Sequence, residues 1–320
     1  MSSKGTVGPK SGGFVSLFRA SIVLGSAGLM LGAHHNKQPP ACASAECRLM
    51  TPLGAAVVGI HAGHTGATTL SRWSTTRAFR RVSESAWGRR AALDSADLLT
   101  VLKINRIDAK HARGRVLLVP DSIGPELGYS PLPDSLPNLR NIPKFVLVSR
   151  RVQAFGAYED GKLVRWGPTS TGKAGTPTDS GLFFTNWKSK RAISTEDPSW
   201  ILDWYVNFIA LKGVAFHEYA LPGRPASHGC VRLLEADARW MFRWTDQWVP
   251  GRGQVVKEYG TPVLVMGDYD YRAPAPWTRL AEDPEADRVT VSEVEAVLQP
   301  NLGIIATRSA PVRMEVAIRR

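Results

Sequence analysis

Apolar positions along this chain change period part-way. Between Ser83 and Leu102 they return at helical steps, with Ala92, Ala96, Leu99 and Leu102 three or four residues apart. A Lys103-Ile104-Asn105-Arg106-Ile107-Asp108 step and a turn follow, then an apolar strand from Arg115 to Pro120. Residues 121–143 hold Pro125, Pro131, Pro133, Pro137 and Pro143 among Gly, Ser, Asp and Asn, which predicts a linker. From 144 onward the texture is β. Phe145–Ser149 is a short apolar run, and Val152–Tyr158 alternates. Glu159-Asp160-Gly161-Lys162 supplies a hairpin turn, and Leu163–Trp166 returns as the partner strand. Leu182–Thr185, Gly213–His217 and Thr261–Met266 read as further strands, and Leu234–Trp248 as a helix. These elements predict a mostly β domain over 144–270, preceded by a small α/β segment at 83–120. In the extension 271–320, Val291–Leu298 reads as one short helix, and the arginine-bearing end as a surface strand or a disordered stretch.

The first 43 residues stand apart. Lys4, Lys10 and Arg19 form a positive region without acids, and Ala20–Ala33 is an apolar run too short to span a bilayer, which needs about 20 residues. This has the form of a secretory signal, cleaved at Ala41-Cys42-Ala43 or near Ala33, or else kept as an N-terminal anchor. Either version predicts export to the periplasm or cell envelope, with membrane contact only through an uncleaved N-terminal segment. The formal net charge is +12, and loss of 1–43 leaves +8. A basic surface suits an anionic polymer such as cell wall, headgroups or nucleic acid, or reflects a basic proteome. No block of Lys and Arg interleaved with aromatics points to nucleic acid.

Export makes cysteine usage informative. Of Cys42, Cys47 and Cys230, the first two can pair or leave together, so Cys230 stands alone where unpaired thiols are a liability. It lies in Ser227-His228-Gly229-Cys230-Val231-Arg232, with His217 upstream. A thiol with a pKa of about 8.5 needs a base to attack a carbonyl at neutral pH. His228, two residues away, shares a strand face with it if the backbone is extended. His217 is carried by a separate strand that the loop Leu221–Pro225 can fold back beside the sulfur, the arrangement of a Cys–His pair. Gly229 relaxes the backbone, so the Gly229 and Cys230 amides can serve an oxyanion. Three other readings use the same residues: a zinc site, for which a fourth ligand and a common spacing are missing; a buried apolar cysteine with satisfied histidines; and Arg232 as a solvated charge rather than a carboxylate binder.

The segment Ser227-His228-Gly229-Cys230-Val231-Arg232-Leu233 closely resembles the signature of the L,D-transpeptidases, the YkuD or ErfK-type catalytic domain. Asp160-Gly161-Lys162-Leu163-Val164, Thr169-Ser170-Thr171-Gly172-Lys173 with Thr176-Pro177, and Gly260-Thr261-Pro262-Val263 resemble further family segments in the same order. The resemblance covers about 144–268. It departs at the nine residues between His217 and Ser227, at Thr178-Asp179-Ser180-Gly181, and at Glu218. It implies a β-sandwich or barrel with one or two helices. It also implies that Cys230 attacks the third residue of a peptidoglycan stem tetrapeptide, with His217 as base. In that picture Gly229, His228 and Ser227 support the oxyanion and the site, and Arg232 binds substrate. A second stem, a lipoprotein lysine, or water in a hydrolase version, resolves the thioester. No metal or cofactor is implied. Residues 83–120 resemble the second half of a LysM-type glycan-binding module, which makes wall binding without catalysis a further reading, as does a simple cap on the main domain.

Overall fold

The computed structural model describes residues 78–86, 95–252 and 255–309, all within one compact unit, Gly66–Arg320. The candidate signal, Cys42 and Cys47 lie outside the described residues. Among the described residues no helix is long and apolar enough to cross a membrane.

The described residues begin with β1 (Phe79–Ser83), α1 (Ser95–Ile104), α2 (Ala109–Ala112) and β2 (Val116–Pro120). β1 pairs antiparallel with β2 over all five residues. Val101, Leu102, Ile107, Ala112, Leu117 and Val119 form a small core between helices and strands. Sequence reasoning did not find β1. Its outward Arg80, Arg81 and Ser83 dilute the apolar signal to Phe79 and Val82.

The main domain adds β3 (Phe145–Ser149), β4 (Ala154–Glu159), β5 (Lys162–Pro168), β6 (Gly181–Phe184), β7 (Lys188–Ile193), β8 (Ile201–Ile209), β9 (Val214–Glu218) and β10 (Val231–Leu233). After them come α3 (Glu235–Trp244), the short strands β11 (Val249–Pro250) and β12 (Val256–Glu258), β13 (Pro262–Met266), α4 (Val291–Leu298) and α5 (Leu302–Ser309). One sheet has the order β5-β4-β3-β13-β6 and another β10-β9-β8-β7, which makes the domain mostly β with few helices, as expected. β4 and β5 meet at Asp160 (φ 47°) and Gly161 (φ 75°), two positive φ values of the kind a tight Asp-Gly hairpin requires.

The five-stranded sheet is buried on both faces, which is why β3 and β13 read as continuous apolar runs. Side chains alternate across a strand. Val146, Val148, Val263 and Val265 therefore face Phe208, Phe216, Val231 and Met241 of the other sheet and α3. Phe145, Leu147, Leu264 and Met266 face the opposite way. There the proline-rich stretch supplies Leu132, Leu136 and Leu139, and the C-terminal extension supplies Val289, Val294, Leu298 and Ile305. Residues 121–143 thus lie on the sheet, and Leu136 N–H donates to Gly161 O at 2.7 Å. α4 spans Val291–Leu298, the short helix read from the sequence, started by a capping box between Thr290 and Glu293. Arg308, read from sequence as part of a surface strand or disordered stretch, sits in α5.

Candidate active site

β9 and β10 run parallel, with Phe216 opposite Val231 and His217 opposite Arg232. Parallel neighbours need a long crossover, here the twelve residues 219–230. The loop therefore does more than fold back: it carries Ser227-His228-Gly229-Cys230 to the start of β10, beside β9. Cys230 and His217 come to line one pocket of about 160 Å³ with Ser227, His228 and Arg232.

The Cys230 loop is held by the segment 169–178. Ser227 N–H donates to Thr171 O at 3.1 Å, Lys173 N–H to Ser227 O at 3.0 Å, and Thr178 Oγ1 to Gly229 O at 2.7 Å. Gly172 stands in this turn because a Cβ there would lie 2.1 Å from Thr176 O. Gln153, in the left-handed region (φ 48°), accepts from Thr171 N–H and donates to Thr171 Oγ1. Thr178 and Gln153 were not singled out from sequence. Their contacts to the cysteine loop and its cradle run to partners 51 and 18 residues along the chain.

Ser227 is buried and works inside the loop. Its Oγ donates to Cys230 O at 2.5 Å and accepts from Gly229 N–H at 3.1 Å. That commits the Gly229 amide to the loop and differs from the expectation of a free Gly229 N–H. Gly229 has φ 117°, a left-handed conformation suited to glycine. Residues 228–230 are therefore not extended, and the same-face argument for His228 does not apply. His228 lies exposed at the pocket mouth, its ring 4.9 Å from that of Trp200, with Nε2 accepting from Lys173 Nζ at 2.8 Å.

His217 is buried, at 3% exposure. Its Nδ1 donates to the carbonyl of Glu218 at 2.9 Å, which leaves Nε2 as the basic nitrogen. Burial, with Arg232 adding to it, pulls the imidazole down from 6.5 to about 4, so it is neutral at physiological pH. The Cys230 thiol is pushed up, chiefly by burial, against the Ala215 amide and Arg232, which lower it. Thiol and imidazole thus rest as a neutral pair. In this state the sulfur meets Gly213 O at 3.9 Å and the Ala215 amide, and makes no hydrogen bond to the His217 ring. Tyr205 OH donates to that same carbonyl at 2.6 Å. Arg232 is half-buried, stacked 4.6 Å over the Tyr219 ring, and among the described residues it pairs with no carboxylate.

One wall of the pocket was not foreseen. The β7–β8 hairpin brings Ile193, Glu196, Trp200, Leu202 and Tyr205 over the cysteine. The alternating run Ile201–Ile209 carried a strand signal that could have located it. Among the described residues no group of three or more His, Cys, Asp or Glu could hold a metal ion.

No curated protein matches the chain. Among solved structures it is similar to an L,D-transpeptidase from Stackebrandtia nassauensis, at 26% identity over 39% of this chain and 56% of that one (TM-score 0.32). It is also similar to L,D-transpeptidases from Mycobacterium smegmatis, at 22% identity over 39% and 59% (TM-score 0.32), and from Mycobacterium tuberculosis, at 21% over 48% and 72% (TM-score 0.31). The chain thus spans little more than half the length of the first two. The family model of the YkuD L,D-transpeptidase catalytic domain matches residues 143–265, from just before β3 almost to the end of β13, so this segment is similar to that domain.

Proposed function

We infer that the protein is an exported, cysteine-dependent L,D-transpeptidase acting on peptidoglycan stem peptides. The observation that carries this reading is the meeting of Cys230 and a neutral His217 in one pocket of a YkuD-type domain. The thiol turns from Gly213 O toward His217 Nε2. Sulfur then attacks the carbonyl carbon of the third stem residue while Nε2 takes the thiol proton. The Cys230 amide faces the resulting oxyanion. Collapse breaks the bond to the terminal D-alanine, whose nitrogen leaves with the proton returned by His217. The thioester is resolved by an amine from a second stem or a lipoprotein lysine. That amine passes a proton to Nε2, which restores the thiol as the product leaves. Arg232, without a carboxylate partner among the described residues, binds a stem carboxylate in this reading. His228 and Ser227 shape the loop. The thioester route uses no metal or cofactor.

Incubating purified protein with disaccharide-tetrapeptide and measuring product masses tests this. Cross-linked dimers, with a transient Cys230 adduct lighter than the tetrapeptide by one alanine, are expected. Tripeptide alone makes the protein an L,D-carboxypeptidase, and no turnover rejects both. Cys230→Ser should lose at least about a thousandfold in rate, since a hydroxyl is far harder to activate with the same base; a variant as fast as wild type rejects the nucleophile.

A further inference from the structure

The loop between the histidine and the cysteine is gripped from outside the catalytic segment. Asp108, at the head of α2, accepts from the Leu221 amide at 2.8 Å through Oδ2, while its own N–H donates to Leu221 O at 3.2 Å. Ile107 bridges to Pro222, and Arg115 Nη1 donates to Pro222 O at 3.2 Å. Gly223 (φ 76°) packs so closely that a Cβ there would lie 2.9 Å from Ile107 Cγ2. Leu221 is wholly buried. Asp108 is anchored in turn: its Oδ1 accepts from His111 N–H at 2.8 Å, and both oxygens lie 2.9 Å from His111 Nδ1. Burial pushes its carboxyl up, but these hydrogen bonds outweigh burial and hold it below the ordinary carboxylate range, so it is an anion when the site works.

The gripped peptide runs directly into the reacting groups. Glu218 O receives His217 Nδ1–H. Tyr219 meets the His217 ring edge-on at 5.9 Å and lies beneath Arg232. Ala220 O lies 3.5 Å from Arg232 Nη1. Residues 218–220 thus set both the tautomer of the base and the place of the cation, and 221–223 are fixed to the β1–α1–α2–β2 unit. We propose that Asp108 is a positioning residue for the reaction: it clamps Leu221, and through residues 218–220 it orients His217 and Arg232, so that the N-terminal unit completes the active site. This rests on the L,D-transpeptidase reading.

The test uses the full chain and three variants. Asp108→Ala removes the clamp. Gly223→Ala drives a Cβ against Ile107 and pushes the loop off the unit, with Asp108 itself unchanged. Val119→Ala weakens the unit's own core but removes none of the contacts to residues 221–223. The rate of tetrapeptide consumption and the rate of Cys230 alkylation by iodoacetamide are each measured per folded Cys230, located by peptide mass. Small misplacements of catalytic groups can cost up to about a hundredfold. Asp108→Ala and Gly223→Ala should consume tetrapeptide about ten- to a hundredfold more slowly per site and alkylate at least about threefold more slowly. Val119→Ala should stay within about twofold of wild type. Wild-type rates in both Asp108→Ala and Gly223→Ala overturn the proposal, as does an equal loss in Val119→Ala; if Asp108→Ala does not fold, Gly223→Ala decides alone. A wild-type protein inert toward tetrapeptide would instead sink the reaction assigned above, and the alkylation rates would still judge the clamp.

Discussion

Lys103 joins the N-terminal unit to the catalytic domain, and its removal has a calculable cost. Its ammonium group is fully buried and donates to Glu126 at 2.7 Å, to Asp237 at 3.2 Å and to Trp166 O at 3.2 Å. Asp237, on the first turn of α3, is equally buried, and its Oδ2 has no hydrogen-bond partner. Lys103→Met keeps the apolar stem and deletes the charge. The Asp237 carboxylate then keeps only Arg165, at 2.6 Å, and the Trp166 carbonyl loses this donor. Breaking a buried ion pair costs about 3–5 kcal/mol. The surviving Arg165 puts this case near the lower end, about 3 kcal/mol. Guanidinium unfolding of the full chain followed by tryptophan fluorescence measures it as a fall in midpoint at constant slope. The double variant Lys103→Met/Asp237→Leu removes the orphaned charge and should recover most of the loss. A single variant within about 1 kcal/mol of wild type would refute the argument, because a charge fully withdrawn from water cannot lose its partner so cheaply.

Two further outcomes test the site. Gly172→Ala must displace Thr176 O and the Thr178 amide, 2.1 and 2.6 Å from the new Cβ; overpacking of this kind costs about 1–3 kcal/mol. Turnover should fall at least about tenfold as Thr178 loses Gly229 O, and an unchanged kcat would show that this cradle does not hold the cysteine loop. His217, neutral down to about 4 when folded against 6.5 unfolded, contributes stability fully present above pH 6.5 and lost as pH falls toward 4. At about 1.4 kcal/mol per pH unit this amounts to about 3 kcal/mol. Unfolding midpoints at pH 7 and 4.5 should therefore drop further in wild type than in His217→Gln; equal drops would mean that the imidazole is not held neutral by burial.

The sequence alone determined what local pattern and chemistry can determine. The buried strands β3 and β13 were legible because a strand covered on both faces must be apolar throughout. The Asp160-Gly161 turn was legible because few residues tolerate two successive positive φ values. The heptapeptide around Cys230 and the upstream His217 were legible because the thiol chemistry depends on residue type. The tertiary structure decided what depends on residues distant in the chain. The parallel register of β9 and β10 brings His217 and Cys230 to one pocket, whereas the left-handed Gly229 turns His228 away from the thiol toward Lys173 and Trp200. The commitment of the Gly229 amide to Ser227, the β7–β8 wall over the sulfur, and the clamp of Asp108 on Leu221 join positions up to 113 residues apart. A hydrogen bond across such a span leaves no periodic trace in either segment, so only the folded backbone could reveal which polar residues serve the site and which serve the chain.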